Sequence, residues 1–342
     1  MWRSSDIRWG LKVRARRWRR RGGVLMYHRI CAEVCDPWAI CVTPEAFAEQ
    51  MAVLADARAA VDLGAFTDDT AYTRAGRQIA VTFDDGYVDN MTAALPVLER
   101  YEIPATLFLV GRAVGRTREF WWDAVDRAVL HDAALPEVLH FPFGSGPQTY
   151  TLHEAAGATV TNAGWRADGH DRPTPRQRLF RTLWDAIVVL EPAEQDAAVD
   201  HLLAWAGRPV EAPAARRPMD AEQFARFAAH PLITVGSHTL DHASLTDLTP
   251  EMQTEQIVEG HRRVAELADS RVTRFSYPFG RFDRSAIRTV GELGVELACT
   301  SVPLPATLAD DRRVLPRLHA TDMDGDRFAR WLRDDHRLLA AQ

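Results

Sequence analysis

The sequence lacks any apolar run long enough to cross a bilayer, and no adequate apolar segment follows its basic N-terminal residues. A transmembrane helix and a secretory signal are therefore not predicted, and a cytoplasmic location is expected. No segment is of low complexity and no period of about 20 to 50 residues recurs, which argues against solenoids and propellers. The few cysteines match no zinc-finger spacing, and we assign no role to Cys31, Cys35, Cys41 and Cys299.

An excess of one charge is also missing, because the net charge of the 342 residues is only −6. The first 21 residues are the exception: they hold nine arginine and lysine residues and the single acid Asp6, interleaved with tryptophans. Two interpretations fit this basic arm, a peripheral contact with an anionic membrane surface or a solvated segment. The rest of the chain is acidic, so nucleic-acid binding is not expected. We take residues 1–21 as the arm and 22–342 as the main domain.

What the chain does contain is an alternation of short apolar runs and amphipathic helical patterns, which is typical of a parallel α/β architecture. Thr249 followed by Pro250 indicates the start of a long helix. Residues 112 to about 230 break the alternation and predict a largely helical insertion, with a loop-rich stretch at 136–175. The predicted strands are residues 24–27, 79–83, 106–110, 232–235, 275–277 and 297–300.

Polar residues follow several of these strands in three short motifs. Asp84 and Asp85 precede a glycine, a pattern that also occurs in simple turns. His238 and His242 have a spacing that lets both imidazoles reach one ion in a helix or tight turn. The glutamate of the zinc-peptidase HExxH pattern is absent, which disfavours that class. Arg274 begins Arg-Phe-Ser-Tyr-Pro-Phe-Gly, where it is either solvated or the partner of a carboxylate.

Each motif has an ordinary structural explanation, but one aspartate and two histidines together match the ligand set of a catalytic zinc site. TFDDG, HTxxH and RFxYPxG occur in this order between about Gly23 and Ala320 and resemble the polysaccharide deacetylases, carbohydrate esterase family 4. The resemblance implies an α/β fold, a distorted (β/α) barrel with a metal at the carboxyl ends of its strands.

The resemblance also implies a role for each motif residue. Asp84 is the expected general base, Arg274 the residue that orients it, and the backbone N–H of Phe279 a donor to the oxyanion. The expected divalent metal is zinc, with cobalt, nickel or manganese as alternatives. Its expected ligands are Asp85, His238 and His242.

The sequence around the candidate general acid matches the family motif less closely. The family has a late Leu-x-His motif, whereas here Leu318 directly precedes His319, our candidate for the acid. His28 is the alternative acid or a substrate contact, and its ordinary explanation is a histidine bonded to backbone. Tyr87 is a further candidate substrate contact. The Asp-x-x-Asp-Trp motif that supports the base in this family has no clear match.

These roles imply metal-dependent hydrolysis of the N-acetyl group of an amino sugar. Without an export signal, a small, nucleotide-linked or lipid-linked glycoside is the expected partner. An N-formyl sugar deformylase and a non-catalytic sugar-binding relative are the alternatives. The aromatic residues at 120–122 line a sugar site or belong to the core.

Overall fold

A computed structural model describes residues 21–67, 78–131, 134–144, 146–153, 162–169 and 171–339. Residues 1–20 lie outside this part of the chain, so the predicted membrane contact of the arm lies outside the described residues. Arg21 already belongs to the first strand. Within the described residues, no helix is both long and apolar enough to cross a membrane.

The described residues form twelve strands, several of them only two residues long. They are β1 (Arg21–Tyr27), β2 (Arg29–Ile30), β3 (Cys41–Val42), β4 (Ile79–Asp85), β5 (Ala105–Leu109), β6 (Val138–Phe141), β7 (Gln148–Thr151), β8 (Ile233–Ser237), β9 (Arg274–Ser276), β10 (Leu297–Cys299), β11 (Ala306–Thr307) and β12 (Leu318–His319).

The same residues form nine α-helices. They are α1 (Pro44–Asp56), α2 (Leu95–Tyr101), α3 (Trp121–Val129), α4 (Pro175–Ile187), α5 (Pro192–Trp205), α6 (Ala221–Ala228), α7 (Pro250–Ala268), α8 (Arg284–Glu292) and α9 (Gly325–Arg330). The predicted start of α7 is confirmed, because the side chain of Thr249 accepts a hydrogen bond from the N–H of Met252 and Pro250 is its first residue.

The central sheet has the strand order β10-β9-β8-β5-β4-β1, with every neighbouring pair parallel. All residues of β4 and β5 are buried, as expected for parallel strands covered on both faces. At the free edge of β1, β11 pairs antiparallel with its first residues and β12 pairs parallel with its last. Leu315, just before β12, also bridges to Cys299 at the end of β10. This segment links both edges of the sheet, which curls into a distorted barrel.

The region 112–230 contains α3 to α6 and an antiparallel hairpin of β6 and β7. A separate apolar cluster joins α3, α4 and α5, with Val125, Phe180 and Leu202 among its buried members. The hairpin lies in the stretch predicted to be loop-rich. Leu139 and Phe141 are buried on one face of β6 while its other residues are exposed, so this short amphipathic strand is stabilised by the helices beneath it.

Candidate metal and catalytic site

The site forms where neighbouring parallel strands end at the same edge of the sheet. Strand β4 ends with Asp84 and Asp85, and β8 ends one residue before His238. Strand β5 lies between them, and the carbonyl of Leu109 at its end accepts a hydrogen bond from the N–H of His238 at 2.9 Å. The fold thus brings two of the three predicted motifs together across β5.

Asp85, His238 and His242 form a compact buried triad. The Nε2 atom of His238 lies 3.6 Å from Oδ1 of Asp85, and the Nε2 atom of His242 lies 3.4 Å from the same oxygen. One ligand atom from each residue fits within 4.8 Å of the others. Among the described residues, Oδ1 of Asp85 has no hydrogen-bond partner. Two imidazole nitrogens around a buried, unpartnered carboxylate oxygen fit a divalent cation such as zinc.

The spacing of the histidine pair allowed either a helix or a tight turn. The structure shows the tight turn. Four non-glycine residues of the site have positive φ angles, with 75° at Asp85, 62° at Thr239, 59° at His242 and 55° at Phe279. Left-handed backbone costs about 1–3 kcal/mol per such residue and persists only where surrounding structure enforces it. Gly260 of α7 permits this turn, because a Cβ there would lie 2.3 Å from the carbonyl carbon of Thr239.

Asp84 is held by Arg317, and the prediction that Arg274 holds it is wrong. Arg317 donates from Nη1 to Oδ1 of Asp84 at 2.7 Å and from Nη2 to Oδ2 at 2.6 Å. Arg274 is the first residue of β9, at the end opposite the site, and its guanidinium bonds Glu296 at 2.6 Å. Arg317 lies in the segment that links the two edges of the sheet, so its side chain reaches Asp84 inside the barrel.

Neutral groups support Arg317 in place of the missing Asp-x-x-Asp-Trp motif. Its Nε donates to the carbonyl of Thr300 at 3.0 Å, and its Nη2 donates to the hydroxyl of Ser276 at 2.8 Å. Its Nη1 also donates to the hydroxyl of Thr82 at 3.1 Å. The guanidinium of this fully buried residue therefore has several fixed partners besides the carboxylate.

The two adjacent aspartates have opposite electrostatic surroundings. Burial alone would raise the pKa of Asp84, but the charge and hydrogen bonds of Arg317, with smaller contributions from His238 and His28, hold that pKa below its ordinary value. Burial raises the pKa of Asp85 well above its ordinary value, and the charge of Asp84 adds to this effect. Asp84 is thus an ionised acceptor, whereas Asp85 needs a nearby cation to stay ionised.

His28 and His319 both line the cavity above these groups, with ring centroids 5.8 Å apart. Desolvation lowers the pKa of His28 to about 3 and that of His319 to about 4, so both are neutral at neutral pH. The structure therefore places both candidate acids at the site, and the assignment of either as the acid stays a prediction.

Tyr87 contributes to the site from behind the cavity wall. It is fully buried, and its hydroxyl lies 2.7 Å from Oδ2 of Asp123 and 2.9 Å from Nε1 of Trp122. Both partners of the hydroxyl belong to α3, and Tyr87 is not among the residues that line the cavity. Its contact with substrate stays a prediction. Phe279 does lie at the cavity, with its ring centroid 4.5 Å from that of His242. The oxyanion role of its N–H stays a prediction.

The cavity that contains these residues has a volume of about 320 Å³. Its floor is polar, and its walls are largely aromatic. Trp122 of α3 and Trp184 of α4 form part of the wall. Trp38 also lines the cavity and packs on Trp184, with ring centroids 4.7 Å apart. Of the predicted aromatic cluster, Trp122 therefore lines the cavity, while Phe120 stacks behind it at 4.8 Å.

Comparison with known proteins agrees with this arrangement. The sequence model of the polysaccharide deacetylase family matches residues 71–179 and 197–298, more than half of the chain. The chain belongs to the polysaccharide deacetylase family. The predicted resemblance is thereby confirmed, and the candidate metal triad lies within the matched residues.

Individual members of the family are distant in sequence. The chain is 20% identical to YxkH of Bacillus subtilis (strain 168) over 255 residues, which is 74% of this chain and 56% of that protein. It therefore spans little more than half the length of this curated relative.

Solved structures share the fold at low sequence identity. The structure of IcaB from Ammonifex degensii is 17% identical, with a TM-score of 0.55 over 91% of this chain and 96% of that chain. The Streptococcus pyogenes deacetylase PplD, solved with acetate, is 15% identical, with a TM-score of 0.50 over 90% and 96% of the two chains. These likenesses show the fold, and they confirm the predicted distorted (β/α) barrel.

Proposed function

We propose that this protein is a metal-dependent deacetylase that hydrolyses the N-acetyl group of an amino sugar. The observation that carries the proposal is that one cavity contains both a candidate metal site and an ionised carboxylate beside it. The triad of Asp85, His238 and His242 fits a divalent cation, and Asp84 beside it is held ionised by Arg317. Family membership supports a carbohydrate as the acylated substrate.

Asp84 is suited to the role of general base. Its Oδ2 atom lies 3.8 Å from Nε2 of His238, so a water molecule beside the triad is within its reach. A divalent metal held by the triad would supply Lewis-acid chemistry, polarising the acyl carbonyl and acidifying water. Arg317 keeps the carboxylate ionised and fixes its plane through two hydrogen bonds.

The departing amine needs a proton, and His319 is the proposed donor, with His28 as the alternative. Both are neutral in the free protein at neutral pH, since desolvation lowers the pKa of each. A donor must therefore gain a proton in the substrate complex, where the negative charge that develops on the acyl group raises the pKa of a nearby imidazole. The backbone N–H of Phe279 is the proposed oxyanion donor.

The cavity suggests a small substrate. A volume of about 320 Å³ lies at the lower end of the range for small-molecule sites. Indole walls suit the apolar faces of one sugar ring. We propose a terminal amino sugar on a small, nucleotide-linked or lipid-linked glycoside, encountered in the cytoplasm, with the basic arm as a contact to membrane in the lipid-linked case. Removal of a formyl group would use the same residues and is the second candidate reaction.

Metal content and amine release, measured on wild type and His238→Ala, test the proposal. We expect one equivalent of divalent metal in the wild type and release of amine from N-acetylglucosamine glycosides, with both lost in His238→Ala. The matched control is His153→Ala, which removes an exposed histidine and should change neither. A wild type that stays inactive and metal-free after zinc or cobalt is added would instead support a sugar-binding relative.

A further inference from the structure

The two candidate histidine ligands are held in different ways. Nδ1 of His238 lies 2.7 Å from the carbonyl of Ser276, so a hydrogen bond fixes the orientation of this ring. Metal-binding histidines usually have such a bond from their second nitrogen. Nδ1 of His242 is buried and has no hydrogen-bond partner among the described residues. Another contact must therefore orient its ring.

That contact is aromatic packing. The centroid of the His242 ring lies 4.5 Å from that of Trp122, with 53° between the planes, and 4.5 Å from that of Phe279, with 79°. Rotation of the imidazole would bring it into one of these rings, since buried side chains are close-packed. The position of Trp122 thus sets the direction of Nε2 of His242.

Trp122 is itself fixed by a directional chain of hydrogen bonds. Its indole N–H, which can only donate, lies 2.9 Å from the hydroxyl of Tyr87. The hydroxyl therefore uses its own proton to donate to Oδ2 of Asp123, 2.7 Å away. The ring of Phe120 stacks on Trp122 with 4° between the planes. Each of these residues is at most 6% exposed.

We propose that Trp122, Tyr87 and Asp123 are positioning residues that orient His242 in the metal triad. Trp122 and Asp123 belong to α3, whereas Tyr87 follows the ligand Asp85 by two residues. The three residues therefore tie α3 to both ends of the triad. The inference rests on the proposed function, since it concerns the metal that this function requires.

Two variants test this role by direct metal binding. Tyr87→Phe removes the acceptor of the indole N–H and keeps the ring, and Trp122→Phe removes the indole that packs on His242. We expect each to weaken zinc affinity by about 10- to 100-fold, the usual effect of losing support for a ligand. The visible absorption spectrum of bound cobalt should change as well, because it reports the geometry of the ligands.

Trp184→Phe is the matched control, because this indole lines the same cavity and packs on Trp38 and Phe279. Its zinc affinity should stay within about twofold of wild type, since it leaves the packing on His242 intact. His242→Ala is the reference for loss of a ligand. Zinc affinity is measured by competition with a chromophoric chelator, and circular dichroism checks folding.

The outcomes separate this inference from the proposed function. A wild type that binds neither zinc nor cobalt contradicts the proposed function itself. If His242→Ala loses metal while Trp122→Phe and Tyr87→Phe keep wild-type affinity and an unchanged cobalt spectrum, only the positioning role is overturned. Should Tyr87→Phe fail to fold, Trp122→Phe decides the question by the same two measurements.

Discussion

At the scale of single residues, the bidentate bond between Arg317 and Asp84 makes a prediction about pH. Arg317→Lys removes one of two hydrogen bonds and weakens the effect that holds the pKa of Asp84 below its ordinary value. That pKa should rise, so the proposed base is protonated at higher pH. In a pH–rate profile we expect the acidic limb of kcat/KM to move to higher pH and the plateau to fall.

The matched control for this prediction is Arg274→Lys. Arg274 bonds Glu296 at the opposite end of β9, so this variant should leave the acidic limb where it is in wild type. If Arg274→Lys moves the limb and Arg317→Lys does not, then Arg274 and not Arg317 controls the base in solution.

The same pair of arginines shows which site residues sequence alone can predict. The positions of Asp84, Asp85, His238 and His242 in the candidate site were predictable because each lies at or just after the carboxyl end of a strand within a short motif, so local sequence determines its position. The partner of Asp84 comes from a remote segment, and only closure of the sheet brings it near. A sequence signal existed, an arginine between proline and leucine two residues before His319, but its partner could not be deduced from spacing.

At the scale of elements, the close approach of α7 to the histidine turn makes a second prediction. Gly260→Ala adds a Cβ that would lie 2.3 Å from a backbone carbon of Thr239, so the helix or the turn must move. Overpacking of this kind costs about 1–3 kcal/mol of unfolding free energy. We expect that loss in urea unfolding, together with weaker zinc binding, because the displaced turn contains both histidines.

Glu255→Ala is the control, since this residue is exposed on the same helix and alanine favours helix. Its unfolding free energy and zinc affinity should match wild type. Loss of stability in Gly260→Ala without any change in zinc affinity would show that the turn holds its ligands independently of α7.

Elements with strong local patterns were predicted well, and the others were not. The buried runs that became β4 and β5 and the capped start of α7 follow from composition and spacing. The hairpin of β6 and β7 was missed, because four-residue β6 acquires a buried face only against the helices of the region 112–230 and β7 stays largely exposed. Pairing between distant segments cannot be deduced from such short strands.

At the scale of the whole molecule, the region 112–230 shapes the cavity and also packs against His242 through Trp122. Trp122 and Trp184 come from this region, while the polar floor comes from the barrel. For the proposed amino-sugar substrate, a wall at the carboxyl ends of the strands limits which part of a glycan can reach the triad. The proposed preference for a small or terminal amino sugar is therefore a property of two structural units acting together.

Trp184→Ala tests that preference, because it should open the wall between α4 and the cavity. We expect KM for an N-acetylglucosamine monosaccharide glycoside to rise by about tenfold, as contact with an apolar sugar face is lost. Activity on longer N-acetylglucosamine oligosaccharides should rise relative to the monosaccharide, since removal of the indole makes room for a second sugar. The measurement is the ratio of kcat/KM for the two substrates.

Trp205→Ala is the control, because this tryptophan of α5 donates a hydrogen bond to the carbonyl of Val138 away from the cavity. The ratio of kcat/KM in this variant should equal that of wild type. An unchanged ratio in Trp184→Ala would mean that the barrel alone, and not the added wall, sets the length of the substrate.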